Sequence, residues 1–81
     1  MLADNQTPTH SEQVKNLIYG LCKDEHIPVE TLHRLIGIKS PATFKRRLDE
    51  PSRFTKTEID RIAIVLELKK REREILTGEN L

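Results

Sequence analysis

The 81-residue sequence predicts an all-α protein, a compact bundle of four to five short helices. Apolar residues recur at helical spacing along most of the chain, and no segment alternates as a half-buried strand would. Serine or threonine stands where three of these apolar runs begin, as expected of helix N-caps. Hydrophobic residues make up 36% of the chain and charged residues 33%, a balance that suits a small domain with one core.

The length and composition exclude several classes of protein. A chain of 81 residues has room for a single core. Its N-terminal residues lack the basic start and apolar stretch of a signal peptide, and no apolar run approaches the ~18 residues that would span a bilayer. The only cysteine, Cys22, excludes an internal disulfide and a multi-cysteine zinc site. We therefore expect no metal, no cofactor and no membrane.

The first helix is predicted from about His10 to Asp24 or Glu25. Thr9 and Glu12 have the spacing of a capping box, in which each side chain bonds the other residue's backbone N–H. Apolar residues then follow the i, i+3, i+4, i+7, i+8 pattern of one helix face: Val14, Leu17, Ile18, Leu21 and Cys22. The residues before it are polar, so residues 1–8 are expected to form a flexible tail.

The second helix is predicted between Pro28, which suits a first turn, and Gly37, which suits a left-handed residue after the last turn. Val29, Leu32 and Ile36 form its apolar stripe. About three residues, including Gly37, then lead to the third helix. Two short helices with such a connection have the dimensions of a helix-turn-helix.

The third helix is predicted over residues 40–50. Ser40 is the expected N-cap because a proline follows it, and Pro51 ends the helix because it disfavours helical geometry in the residue before it. Phe44 and Leu48 are four residues apart, so both face the core.

The fourth helix has the clearest start. Thr55 and Glu58 form a second capping box, while Phe54 and Ile59 have the spacing of a hydrophobic staple. Its predicted core residues are Ile59, Ile62, Ala63 and Leu66.

Helical spacing places three further apolar residues away from that core face: Ile64 and Leu68 opposite it, and Val65 on a flank. Apolar side chains grouped on a surface need a cover. Two elements could bury these residues: the last helix, folding back with Ile75 or Leu76, or a second copy of the chain in a two-fold dimer. Both fit the same pattern, and they are compatible.

The domain boundaries follow from these elements. Residues 9–68 form the helix-turn-helix domain, and residues 69–81 form a charged C-terminal helix that serves packing or dimerisation. Gly78 is expected to end that helix.

The net charge of +1 conceals a local basic segment. Residues 1–38 carry three Lys/Arg against five acids, a charge of −2, and residues 54–81 carry six of each. Residues 39–53 carry five Lys/Arg against Asp49 and Glu50, a charge of +3. A basic patch on a nearly neutral protein directs an anionic partner to one face.

The third helix presents this charge in a pattern suited to a DNA major groove. With Phe44 and Leu48 inward, Arg46 points away from the core and Ala42 lies one turn earlier on the same side, while Lys45 and Arg47 flank them. A small residue permits close approach to base edges, and arginine or lysine can bond guanine O6 and N7. We therefore assign base reading to Ala42, Lys45 and Arg46. We assign phosphate contacts to Thr31, Lys39, Ser40, Thr43 and Arg47.

Two segments resemble a known family. Residues 37–48, with the sequence Gly-Ile-Lys-Ser-Pro-Ala-Thr-Phe-Lys-Arg-Arg-Leu, resemble the turn and recognition helix of the lambda-repressor-like (Cro/C1-type) regulators. Residues 54–63, with the sequence Phe-Thr-Lys-Thr-Glu-Ile-Asp-Arg-Ile-Ala, resemble the start of the fourth helix in small phage regulators of that group. The likeness extends over roughly residues 12–68. Val29 replaces a common glutamine, and His33 replaces a small residue at the helix crossing.

The resemblance implies a sequence-specific transcriptional regulator of repressor type that binds duplex DNA at a partly palindromic operator as a homodimer. It also implies a cytoplasmic, nucleoid-associated location in a bacterial host cell. A second interpretation keeps the fold but makes the chain a protein-interaction module, an antirepressor or co-regulator with a regulatory protein as partner. No serine–histidine–aspartate group, glycine-rich phosphate loop or carboxylate pair is present, so we do not expect an enzyme.

Overall fold

The computed structural model describes residues 8–79, and these residues form five α-helices with no strand among them. The prediction of an all-α bundle is confirmed. The expected flexible tail lies outside the described residues except for Pro8, whose carbonyl accepts a hydrogen bond from the Gln13 side chain. The helices are α1 (His10–Asp24), α2 (Val29–Leu35), α3 (Pro41–Asp49), α4 (Lys56–Val65) and α5 (Lys70–Thr77).

Side-chain caps fix the starts of three helices where the sequence predicts them. Thr9 and Glu12 form the capping box of α1, and Thr55 and Glu58 form that of α4. The Ser40 hydroxyl accepts from the backbone N–H of Thr43 at the start of α3. Each such cap satisfies a backbone N–H that lacks a partner within its helix.

The ends of the helices and their connections complete the chain path. Pro28 is the N-cap residue of α2, one position before its first turn. Gly37 and Gly78 both have the left-handed φ that the sequence predicts for them, at 89° and 83°. Between α3 and α4, a short 3₁₀ turn begins at Pro51, which is buried.

One core joins all five helices. Its buried apolar residues come from every helix and from the connections, and they are Val14, Ile18, Cys22, Leu32, Ile36, Ile38, Phe44, Leu48, Phe54, Ile62, Leu66 and Leu76. Burial raises the pKa of the Cys22 thiol, because a thiolate would lose hydration there. Cys22 is therefore a core side chain, as its position on the apolar stripe indicates.

The last helix belongs to this core rather than to a separate segment. Leu76 of α5 is completely buried. Nε2 of His10, in the first turn of α1, lies 3.0 Å from the carbonyl oxygen of Ile75 and 3.2 Å from that of Leu76. Because a carbonyl oxygen only accepts, Nε2 carries the proton in these bonds. The C-terminal helix is thus fastened to the start of α1.

Two of the three residues predicted to lie away from the core pack against it. Val65 and Leu68 are partly buried against the core cluster, whereas Ile64 is 75% exposed. The expected outward position of Leu68 is wrong because α4 ends at Val65, so helical spacing no longer applies three residues later. The chain turns at Glu67, whose φ is 52°.

Candidate nucleic-acid interface

The outward face of α3, defined here as Ala42, Lys45 and Arg46, is exposed along its length. Phe44 and Leu48 on the opposite side are 4% and 2% exposed, and they fix the rotation of the helix about its axis. The structure therefore brings together the three residues to which we assigned base reading. Lys45 and Arg46 form no ion pair with any residue in the described range.

The two acids at the end of α3 are compensated by cations outside the outward face. Nζ of Lys15 on α1 lies 2.7 Å from Oδ1 of Asp49. A hydrogen bond from Lys15 lowers the pKa of Asp49, and the same bond raises the pKa of Lys15. Glu50 pairs with Arg53 in the 3₁₀ turn. Asp49 and Glu50 thus have their own cationic partners and form no ion pair with Lys45 or Arg46.

Arg47 faces α4 instead of solvent. Its Nε lies 3.2 Å from Oε1 of Glu58, and both side chains are less than one quarter exposed. The same carboxylate oxygen accepts the backbone N–H of Thr55 in the capping box of α4. Glu58 therefore joins α3 to the start of α4 through Arg47. The sequence assigned Arg47 to a DNA phosphate, and the structure gives it a partner within the protein.

The remaining residues assigned to phosphates lie near the start of α3 and on α2. Lys39 is exposed, while Ser40 and Thr43 are half-buried. The Ser40 hydroxyl is 3.4 Å from the backbone nitrogen of Thr43, so its first role is to cap the helix. Thr31 is half-buried within α2.

His33 is buried where α2 packs against α3. The side chain is 6% exposed, and its Nδ1 donates to the carbonyl oxygen of Ile38 over 2.7 Å. Its ring centroid lies 6.3 Å from that of Phe44. A residue larger than the small one typical of the resembled family is thus accommodated at the crossing, with its polar atom satisfied. His33 is a packing residue here.

An arginine of α4 lies against the connection between α2 and α3, a contact that the sequence did not indicate. Cζ of Arg61, on α4, lies 3.5 Å from the position that a Cβ on Gly37 would occupy, and Nη1 lies closer still. Arg61 is exposed and has no ion-pair partner among residues 8–79. Nothing local in the sequence reveals this contact, because 24 positions separate the two residues.

Comparisons with family models, with curated proteins and with solved structures return no match for this chain. Within the described part of the chain, no helix has the length and apolar character needed to cross a membrane. The same residues contain no group of three or more histidine, cysteine or acidic side chains placed to hold a metal ion.

Substitution by alanine is expected to have opposite effects on stability at Gly37 and at Gly20. Gly37→Ala is expected to lower the free energy of unfolding by about 1–2 kcal/mol, because a left-handed φ strains an L-residue and the new Cβ would displace Arg61. Gly20→Ala is expected to raise it by about 0.5–1 kcal/mol, because Gly20 lies within α1 and its Cβ would meet open space. Urea unfolding of both variants measures the two changes in the free energy of unfolding, and changes of equal sign would contradict this prediction.

Proposed function

We propose that this chain is a transcriptional regulator that binds duplex DNA sequence-specifically, with α2 and α3 as a helix-turn-helix and α3 in the major groove. One observation carries the proposal. The outward face presents two cations without protein partners beside a small residue, on a helix whose rotation is fixed by buried Phe44 and Leu48. Such a face can approach base edges and bond guanine.

The surroundings of α3 support the same placement. Lys39 adds an exposed cation just before the helix begins. The acids Asp49 and Glu50, which would repel phosphates, are paired with Lys15 and Arg53. In this proposal Lys39, Ser40, Thr43 and Thr31 hold phosphates, and Arg46 is the principal base-reading residue.

The partners follow from the mode of binding. We include in the proposal a homodimer on a partly palindromic operator, because paired half-sites require two copies. Of the three apolar residues that the sequence places off the core face, Ile64 is the most exposed, at 75%, and it is the candidate for the interface. Sedimentation of the protein with and without a selected operator duplex measures the stoichiometry, and one copy per operator would exclude the dimer.

The test is a titration of labelled random-sequence duplex across a salt series. Log affinity is expected to fall with log salt concentration by about 0.9 for each phosphate contact. Binding to random sequence is electrostatic, so in this complex the cations of the outward face lie against phosphates rather than base edges. The double variant Lys45→Gln/Arg46→Gln is therefore expected to lower the slope by about 1.8.

The matched control is Lys70→Gln/Arg71→Gln. It removes one lysine and one arginine from the exposed surface of α5, so the net charge changes by the same amount. The slope is expected to stay at the wild-type value. Equal effects of the two double variants would mean that total charge, not the outward face, determines binding.

One observation favours the second candidate function, a protein-interaction module. An apolar groove of about 260 Å³ lies between α1, α2 and α3, and Val29, Phe44 and Leu48 are among its lining residues. Such a groove accommodates an apolar side chain of a partner protein. The titration separates the two functions, because absence of duplex binding at low salt would reject DNA and leave this groove as the candidate site.

A further inference from the structure

Two arginines near the proposed DNA surface differ in their surroundings. Arg47 belongs to α3 but is paired with Glu58, and the pair is mostly buried. Arg61 belongs to α4, is exposed, and extends over Gly37 in the connection that leads into α3. Glu58, one turn before Arg61 on α4, already accepts from Arg47 and from the Thr55 backbone.

The free-energy cost of placing the side chain at a DNA phosphate therefore differs between the two arginines. Moving Arg47 to DNA would break its ion pair and leave the Glu58 carboxylate partly buried without its cation, which is unfavourable. Arg61 has no such partner to lose among the described residues. Its guanidinium presents several N–H donors in a planar fork that suits phosphate oxygens.

Arg61 also lies beside the segment that leads into α3. Gly37 is three residues before Ser40, so the chain between them spans at most about 11 Å. The major groove is about 12 Å wide, so a cation over Gly37 is close enough to a helix start placed in the groove to reach phosphates along its edge.

We propose that Arg61, and not Arg47, is the arginine that contacts a DNA phosphate beside the segment leading into α3. This inference rests on the proposed DNA-binding function and adds a residue of α4 to the surface. Gly37 then has two roles: it permits the left-handed turn, and its missing side chain leaves space for the guanidinium. Arg47 holds α3 against α4.

The experiment compares Arg61→Gln, Arg61→Lys and Arg47→Gln with the wild-type protein in the random-duplex salt titration. Arg61→Gln is expected to lower the slope of log affinity against log salt by about 0.9, the loss of one phosphate contact. Arg61→Lys is expected to keep the wild-type slope, because a cation persists. Arg47→Gln is expected to keep the wild-type slope as well. Circular dichroism at the titration temperature shows which variants are folded, and only folded variants are compared.

Three outcomes would overturn the inference. An unchanged slope for Arg61→Gln would show that Arg61 does not contact phosphate. An equal loss for Arg61→Lys and Arg61→Gln would show that packing over Gly37, and not charge, is responsible. A loss of about 0.9 for Arg47→Gln alone would assign the contact to Arg47. If the wild-type protein binds no duplex even at low salt, the proposed function fails, and this inference fails with it. If the inference alone fails, the wild-type protein still binds duplex. The two failures are therefore distinguishable.

Discussion

Arg46→Ala is expected to weaken binding to a selected operator by roughly 1–3 kcal/mol, about 5- to 150-fold, and to relax preference at one operator position. Arg46 lies opposite the buried pair Phe44 and Leu48, so its side chain points away from the core. An arginine that bonds guanine O6 and N7 discriminates among bases, and alanine keeps the helix while removing those donors. Selection of operators from a randomised duplex pool with both proteins measures the change.

The control for Arg46→Ala is Arg71→Ala. Both arginines are exposed on helices and have no ion-pair partner in the described range, so the loss of charge and of side chain is the same. Arg71→Ala is expected to leave operator affinity and the selected sequence unchanged. If Arg46→Ala also leaves them unchanged, Arg46 is not a base-reading residue. If it weakens all duplexes equally, Arg46 contacts phosphate instead.

The helices could be predicted closely because their boundaries are determined by nearby residues. A capping box needs only four consecutive positions, and both boxes, at Thr9 and at Thr55, form as expected. Gly37 and Gly78 adopt their left-handed geometry for the same local reason. The outward face follows from two further facts visible in the sequence, the period of a helix and the apolar identity of Phe44 and Leu48.

The features that the sequence did not indicate are contacts between distant segments and one irregular turn. Pairing of Arg47 with Glu58 joins residues 11 positions apart, and helical spacing within α3 carries no information about it. Arg61 was missed for the same reason. Leu68 was misplaced because α4 ends without a glycine or proline, and Glu67 takes the left-handed conformation at a cost that its neighbours' packing must offset. Tertiary packing, not local propensity, determines these positions.

Leu76→Ala is expected to lower the free energy of unfolding by about 2–5 kcal/mol. Leu76 is completely buried although it lies in the charged C-terminal helix, so truncation leaves a cavity between α5 and the rest of the core. A domain of this length has a total stability of roughly 4–12 kcal/mol, so the loss is a large share of it. Thermal unfolding followed by circular dichroism is expected to show a Tm lower by about 10–30 °C.

Leu35→Ala is the matched control, because it removes the same atoms from a side chain that is 50% exposed, and it is expected to cost less than about 1 kcal/mol. Equal effects of the two substitutions would mean that α5 is not part of the core. The comparison also bears on DNA binding. If α5 serves the core alone, Leu76→Ala retains the wild-type salt slope at temperatures where it is folded, since every proposed phosphate contact lies on α2, α3, α4 or the connection between α2 and α3. Stability and DNA binding would then depend on different residues of one small domain: buried ones for stability and surface ones for DNA.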